Sequence, residues 1–587
     1  MLHEETVVPL RSSLKRSAVF VLVAVVFAST GCANSAADKA ALPTAGRTLQ
    51  IDSGQISGAV DGGTSVYRGI PYAAPPIGPL RWKAPQPVAS WSGVRECTVF
   101  GPECPQVVLT GKNSAGAKQP QSEDCLYLNV WTPTPAPAEK LPVMIWIHGG
   151  AYQLGRGSSP LYDGRKLAEK GVIVVSINYR LGPLGFLALP ELTKESGHGS
   201  SGNYGLLDQQ AAMQWVQKNI SAFGGDPSRV TIFGESAGAM SVCTQMASPL
   251  SKGLFQQAIS ESSLFIDRGL LMHATRPLAE AEAIGERYAV ETGSSGTTGT
   301  LAALRAKPVS ELISLPLQTR PGLFLSEALF MPVVDGWVLP EEPGKVFAAG
   351  KQHPVPLLIG SNSEEGNLFT FAKRSTLETM TIAEYEHKIA QYFGPYADQV
   401  MAQYPVTKQS EVKPTLSRVF TNFDFTSVAR WTAARQVALG QKSFLYQFDK
   451  MPLPPMGLLG PCHGSEIAFV FGTLVKGPSH NGAQESMQSL VLERFERPLA
   501  DSLMLTFAPG DVDLSAQMVD YWTNFARTGD PNGSTTKVTW PAYSPASDQN
   551  IELGKSVTVK SGLDSAGCNL ADEFYGYGGS AAATTGP

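Results

Sequence analysis

The sequence predicts an α/β fold: a central, mostly parallel sheet flanked by helices. Three observations lead there. Residues 143–147 (VMIWI) and 172–177 (VIVVSI) are short, β-rich runs that are apolar on both faces, as strands buried inside a parallel sheet are. Helical patterns alternate with such runs, which marks strand–helix–strand units rather than a sandwich or a bundle. A third run, 230–233, passes straight into Gly234-Glu235-Ser236-Ala237-Gly238 and a helical pattern over 237–247.

The chain begins with a segment outside that fold. Arg11, Lys15 and Arg16 precede an apolar run over 17–28, the length of a signal-peptide core and too short to span a bilayer. Ser29-Thr30-Gly31-Cys32 follows. Small residues before a cysteine resemble a bacterial lipobox, which implies diacylglycerol on the Cys32 thiol, although Ser29 stands where Leu is usual. The alternative is ordinary cleavage nearby. Either route exports the protein to the cell envelope or beyond, so residues 1–32 read as a signal peptide and 33–46 as a flexible tether.

Residues 47–575 read as one large domain and 576–587 (GYGGSAAATTGP) as a disordered tail. Of the 587 residues, 43% are hydrophobic, enough for a large core, and the net charge of −5 gives no basic footprint for nucleic acid. The 58 Gly and 43 Pro exceed their ordinary shares of about 7% and 5%, so loops are abundant. No apolar stretch spans a membrane, so a lipid at Cys32 would be the one attachment to it. Along the domain, 206–220 reads as a helix with Leu207, Ala211, Met213, Val216 and Ile220 near one face. Residues 356–359 and 444–448 read as further strands. Residues 266–350 and 370–440 are more helical and less regular, insertions suited to roofing a site.

The chemistry gathers where strands end. Gly-x-Ser-x-Gly between a strand and a helix has the form of a nucleophile elbow. Gly234 and Gly238 keep Cβ atoms out of a tight turn, and Ser236 projects at the carboxyl end of the sheet. Residues 143–147 run into His148-Gly149-Gly150-Ala151. Consecutive glycines after a buried strand leave N–H groups free, and the loop resembles the His-Gly-Gly loop of esterases and lipases. With Ala237, the N–H groups of Gly150 and Ala151 make a candidate three-donor oxyanion hole. Among the eight histidines, His463 lies on a late loop after a strand, which suits the order Ser, acid, His. His198, His273, His353, His387 and His480 sit in polar or helical contexts and read as solvent-facing. The acid should follow residues 356–359, where Glu364 and Glu365 are adjacent; residue chemistry alone does not choose between them.

At this point the residues resemble a known family. The stretch 223–238 (FGGDPSRVTIFGESAG) is similar to the serine signature of type-B carboxylesterases, and 123–133 (EDCLYLNVWTP) to their second signature. Residues 67–73 (YRGIPYA), 178–182 (NYRLG) and 522–532 (WTNFARTGDPN) match as well, so the resemblance runs from about residue 50 to about 555. It implies an α/β-hydrolase fold, ester hydrolysis without metal or organic cofactor, and a small-molecule carboxylic ester as partner. It implies Ser236 as nucleophile, Glu365 as acid, His463 as base, and Gly150, Ala151 and Ala237 as the hole. It further implies a Cys104–Cys125 disulfide and an Arg81–Glu123 ion pair.

Two departures stand out. Ser262-Ser263 replaces the family's usual Ser-Gly, and residues 105–124 lack the aromatic residue with which cholinesterases bind quaternary ammonium. Two other readings share the motifs: a silent binding or adhesion protein on the same fold, and an acyltransferase to an alcohol. The presence of all six site residues disfavours the first. Cys243 reads as buried, Cys462 as a free thiol near the base, and Cys97 and Cys568 as a candidate pair. Asn219-Ile-Ser and Asn532-Gly-Ser match the glycosylation sequon by chance.

Overall fold

In the computed structural model, residues 44–107, 119–133, 139–265, 269–295, 299–314, 319–321, 323–324, 326–371, 377, 379–450, 459–474 and 509–576 are described. The signal peptide, Cys32, residues 33–43 of the tether, part of the 105–124 loop, His480 and residues 577–587 lie outside them. The strands of the large sheet are β1 (Thr44–Ile51), β2 (Gly54–Asp61), β3 (Thr64–Pro71), β4 (Val94–Glu96), β5 (Tyr127–Pro133), β6 (Leu141–Ile147) and β7 (Ile173–Ile177). Then come β8 (Gly225–Glu235), β9 (Gln257–Glu261), β10 (Leu357–Asn362), β11 (Ser443–Phe448), β12 (Gln549–Leu553) and β13 (Val557–Ser561). Their order is β1-β2-β3-β5-β7-β6-β8-β9-β10-β11-β12-β13, with β4 beside β2. From β7 to β12 every pairing is parallel; β1, β2, β3 and β5 add an antiparallel flank at one edge and β13 closes the other.

Strand β6 shows why this sheet sits between two layers. Val143, Ile145 and Ile147 enter one buried cluster, while Met144 and Trp146 enter another. A strand buried on both faces must be covered on both. The first cluster takes Met213 and Val216 from helix α1 (Tyr204–Asn219) and Met240 and Val242 from α2 (Ala237–Ala247). The same cluster takes Val419 and Phe420 from α3 (Val412–Phe420) and Val428 and Trp431 from α4 (Ser427–Ala438). The second cluster takes Met518, Trp522 and Phe525 from α5 (Pro509–Thr528). There Trp146 packs edge-on to Phe233 and Phe471 at 4.8 and 4.9 Å, a geometry that adds to plain area burial.

The expected elements are present with shifted ends. Thr44 and Ala45, expected in the tether, already pair with β2, because backbone hydrogen bonding continues where the side chains alone look linker-like. The strand expected over 230–233 extends back to Gly225. Cys97 and Cys568 are both buried and both free, so the candidate pair does not form; Cys104–Cys125 does, with Cα atoms 5.0 Å apart. Asn219 is buried and accepts the Asp52 N–H at 2.8 Å, a structural role that keeps its sequon from solvent.

Candidate active site

The elbow follows from close packing. Ser236 sits between β8 and α2 at φ 58°, ψ −125°, a left-handed conformation that costs a non-glycine residue of order 1–3 kcal/mol and persists only where its surroundings fix it. They do so here: its N–H donates to Glu261 O at 3.0 Å and its carbonyl accepts from Met240 N at 2.8 Å. A Cβ at Gly234 or Gly238 would stand 2.5 or 2.0 Å from the Ile147 carbonyl of β6. Both glycines are therefore required by the neighbouring strand.

Burial separates the two glutamates. Glu365 is wholly buried in the turn after β10; its Oε2 accepts from His463 Nδ1 at 2.7 Å and its Oε1 from Asn362 N at 2.7 Å. Glu364 faces solvent and accepts from Asn367 Nδ2. Gly366 packs against the Ser417 carbonyl, 2.2 Å from where a Cβ would lie, and donates to Thr421 Oγ1 at 3.0 Å. The His463 ring is flanked by Phe369 at 5.3 Å and Phe425 at 5.1 Å. Phe425 belongs to a π-helical turn, Thr421–Thr426, between α3 and α4. Such turns are rare and often serve functional sites. The next residue back, Asp424, accepts from the N–H groups of Leu270 and Leu271 at 2.9 and 2.8 Å. The two expected roof segments thus meet at the turn that carries Phe425 against His463.

His463 Nε2 faces the elbow, 3.3 Å from Glu235 Oε1. Gly150 (φ 107°) and Ala151 (φ 54°) follow β6 in left-handed conformations. Among the described residues no acceptor takes the N–H of Gly150, Ala151 or Ala237. Ala237 opens α2, where a first-turn N–H has no intrahelical acceptor.

Three buried carboxyls beside this constellation were not assigned from the sequence, although Glu235 lies inside the quoted serine signature and Glu466 three residues after His463. Burial pushes Glu235 up to about 8, against the pull of His463, and Glu466 up to about 7. Burial also lifts Glu261 well above the carboxylate range. Burial opposes the imidazolium of His463, but the Glu235 and Glu365 carboxylates outweigh it and push the ring up to about 9. Glu466 accepts from Ser262 Oγ at 3.0 Å and Asn362 Nδ2 at 2.7 Å; Glu261 accepts from Trp522 Nε1 at 2.8 Å. Ser262 of the departing Ser-Ser pair therefore binds behind the base, and Ser263 contacts the buried Cys243 thiol.

The supporting contacts match expectation. Arg81 holds Glu123 bidentately at 2.6 and 2.7 Å and donates through Nη1 to the carbonyls of Leu304, Arg305 and Lys307. Cys462 is free and buried, and burial pushes its thiol up to about 12. His198 and His387 are exposed as expected; His353 is half-buried instead, with Nε2 2.8 Å from the Ser248 carbonyl.

A parallel sheet carrying a strained serine at a strand–helix turn defines an α/β-hydrolase. The chain belongs to the carboxylesterase family, whose sequence model, described as "Carboxylesterase family", matches residues 45–571. It is 37% identical over 516 residues to the fumonisin B1 esterase of Sphingopyxis macrogoltabida, covering 86% of this chain and 87% of that one. It is 36% identical over 523 residues to the para-nitrobenzyl esterase of Bacillus subtilis (strain 168), covering 87% and 96%. A solved PNB esterase superposes with a TM-score of 0.72 at 34% identity, covering 89% of this chain and 99% of that structure. The chain is a carboxylic ester hydrolase whose substrates are small-molecule esters.

Proposed function

We propose that this hydrolase works through a Ser236–His463–Glu365 triad and an acyl-enzyme. The observation that carries the reading is the pairing of His463 Nδ1 with Glu365 at 2.7 Å while Nε2 lies 3.3 Å from Glu235, the residue before Ser236. Ser236 Oγ attacks the ester carbonyl as His463 Nε2 takes its proton. Glu365, bonded to Nδ1–H, fixes the tautomer and stabilises the imidazolium. The N–H groups of Gly150, Ala151 and Ala237 receive the oxyanion. The alcohol leaves with the proton from His463, and water then attacks the acyl-enzyme by the same route.

The test is hydrolysis of para-nitrophenyl esters from C2 to C16, together with a para-nitrobenzyl ester and fumonisin B1, with and without an organophosphate. We expect Ser236→Ala to lose turnover on the order of ten-thousandfold or more, and the organophosphate to label Ser236 in the native chain. A Ser236→Ala variant with native turnover would overturn the reading. No turnover and no adduct in the native chain would favour a silent binding protein.

We also propose that the enzyme is exported and held to the envelope through lipid on Cys32. Metabolic labelling with a tagged fatty acid checks this: label lost in Cys32→Ala supports the anchor, and an unlabelled native protein refutes it.

A further inference from the structure

We propose that His148 and Tyr179 are positioning residues for the oxyanion hole, because together they fix the peptide plane between Gly149 and Gly150. The inference rests on the reading that the Gly150 N–H receives the oxyanion. The Gly149 carbonyl and the Gly150 N–H belong to one planar trans peptide, so they point to opposite sides. Whatever holds the carbonyl aims the N–H.

His148 Nδ1 lies 2.8 Å from Gly149 O. A carbonyl only accepts, so Nδ1 carries the hydrogen. Nε2 is then a bare acceptor, and it is buried without a hydrogen-bond partner among the described residues. The ring is neutral: burial, with Arg156 nearby, pushes it down to about 4. Tyr179 grips the preceding peptide. Its ring stacks on His148 with centroids 4.4 Å apart, and its hydroxyl donates to His148 O at 2.8 Å.

The contact is sealed. A Cβ on Gly155 would stand 2.3 Å from His148 Nδ1 and 2.6 Å from Gly149 O. The Gly155 backbone therefore covers that hydrogen bond. Gln106 holds Gly155 from both sides, accepting its N–H at 2.9 Å and donating to its carbonyl at 2.9 Å.

The need for such a clamp lies in the two glycines. Without Cβ atoms on either side, the intervening peptide can turn over at little steric cost. Turned over, it would present a carbonyl to the developing anion in place of a donor. Donors act only when held in place before charge develops.

The variants are His148→Phe, which keeps a ring to stack but loses the donor, His148→Asn, whose side-chain amide restores one, and Tyr179→Phe. For each, kcat and KM for a short-chain para-nitrophenyl ester are measured beside the affinity for a trifluoromethyl ketone, whose adduct places an oxyanion in the hole. We expect His148→Phe to lower kcat about tenfold to a hundredfold, less than outright removal of a donor, and inhibitor affinity by the same factor. KM should change by less than about twofold, as for an interaction made only in the transition state. His148→Asn should recover most of the loss, and Tyr179→Phe should show a smaller parallel fall. Native kcat in His148→Phe, inhibitor affinity that does not follow kcat, or no rescue by Asn would overturn the inference. If His148→Phe does not fold, Tyr179→Phe decides: a parallel fall supports the clamp, and native values refute it. An inactive Ser236→Ala beside a fully active His148→Phe would remove this inference alone. An active Ser236→Ala would remove the reading beneath it.

Discussion

Asp424 gives a stability prediction whose size follows from its surroundings. It is wholly buried in the π-helical turn, its oxygens accept only the N–H groups of Leu270 and Leu271, and no cation among the described residues faces it. Burial pushes its carboxyl up to about 7, and the two N–H donors recover only part of that cost. The folded chain thus keeps a proton that the unfolded chain, with a carboxyl near 3.9, has already released. Stability from this group is complete below that lower value and is lost as pH rises through about 7. Between about pH 5 and about pH 8 the loss spans roughly two units at about 1.4 kcal/mol each, or about 3 kcal/mol. Asp424→Asn does not titrate. Urea unfolding of both proteins across this range should show the native chain losing about 3 kcal/mol relative to the variant as pH rises. Changes shared by both chains cancel in the difference. A gap flat to within about 0.5 kcal/mol would show that Asp424 ionises normally and that its two N–H bonds outweigh its burial.

Other perturbations test neighbouring parts of the argument. Glu261→Gln keeps an acceptor for Trp522 Nε1 while removing a carboxyl that burial holds neutral; unfolded at about pH 9 it should be more stable than the native chain, with the advantage shrinking toward about pH 5. Replacing Cys104 and Cys125 by Ser opens a loop of 21-residue separation, which should cost about 3 kcal/mol in urea. The same variant should lower kcat more than it changes KM, because Gln106 beside the bridge holds Gly155 over the oxyanion loop. Glu235→Gln removes an anion that favours the His463 imidazolium, so the acid limb of kcat/KM should move to lower pH; an unmoved or raised limb would contradict the assigned coupling.

The legible parts of the site are those built by local chain geometry. The elbow could be read because strand, Gly-x-Ser-x-Gly and helix are contiguous, and the structure supplies the reason in the Ile147 carbonyl against Gly234 and Gly238. Glu365 could not be separated from Glu364 on chemistry alone, since which one turns inward depends on packing against Ser417 and Thr421, some fifty residues on. The π-helical turn was not legible, because an extra residue per turn in a helix over 412–438 leaves no mark in apolar spacing. Phe425 and Asp424 were therefore missed. The Cys97–Cys568 pairing failed because a cysteine count carries no distances, and each thiol is buried in its own surroundings. Glu235 and Glu466 were in view but unassigned, since a glutamate in a motif looks the same whether it meets solvent or a buried imidazole.

That last pair bears on the proposal that a histidine among four buried carboxyls serves as a base. Glu235, Glu261, Glu365 and Glu466 cannot all carry charge in one dry cluster, because like charges at such range suppress each other's ionisation. Donors are shared out unequally. Glu365 accepts from Asn362 N and His463 Nδ1, and Glu466 from Ser262 and Asn362 Nδ2. Glu235 Oε1 and Glu261 Oε2 have no hydrogen-bond partner among the described residues. Burial raises Glu235, Glu261 and Glu466 alike, so these carboxyls compete with the imidazole for protons. The imidazole therefore meets an acceptor at Nδ1 and, beside Nε2, a carboxyl whose charge burial opposes. A charged Glu235 favours a proton on His463 and so opposes the proton transfer from Ser236 that the proposed mechanism needs. Burial of Glu235 opposes that charge, so it limits how firmly the imidazole is held as a cation and supports the proposed role of His463 as base.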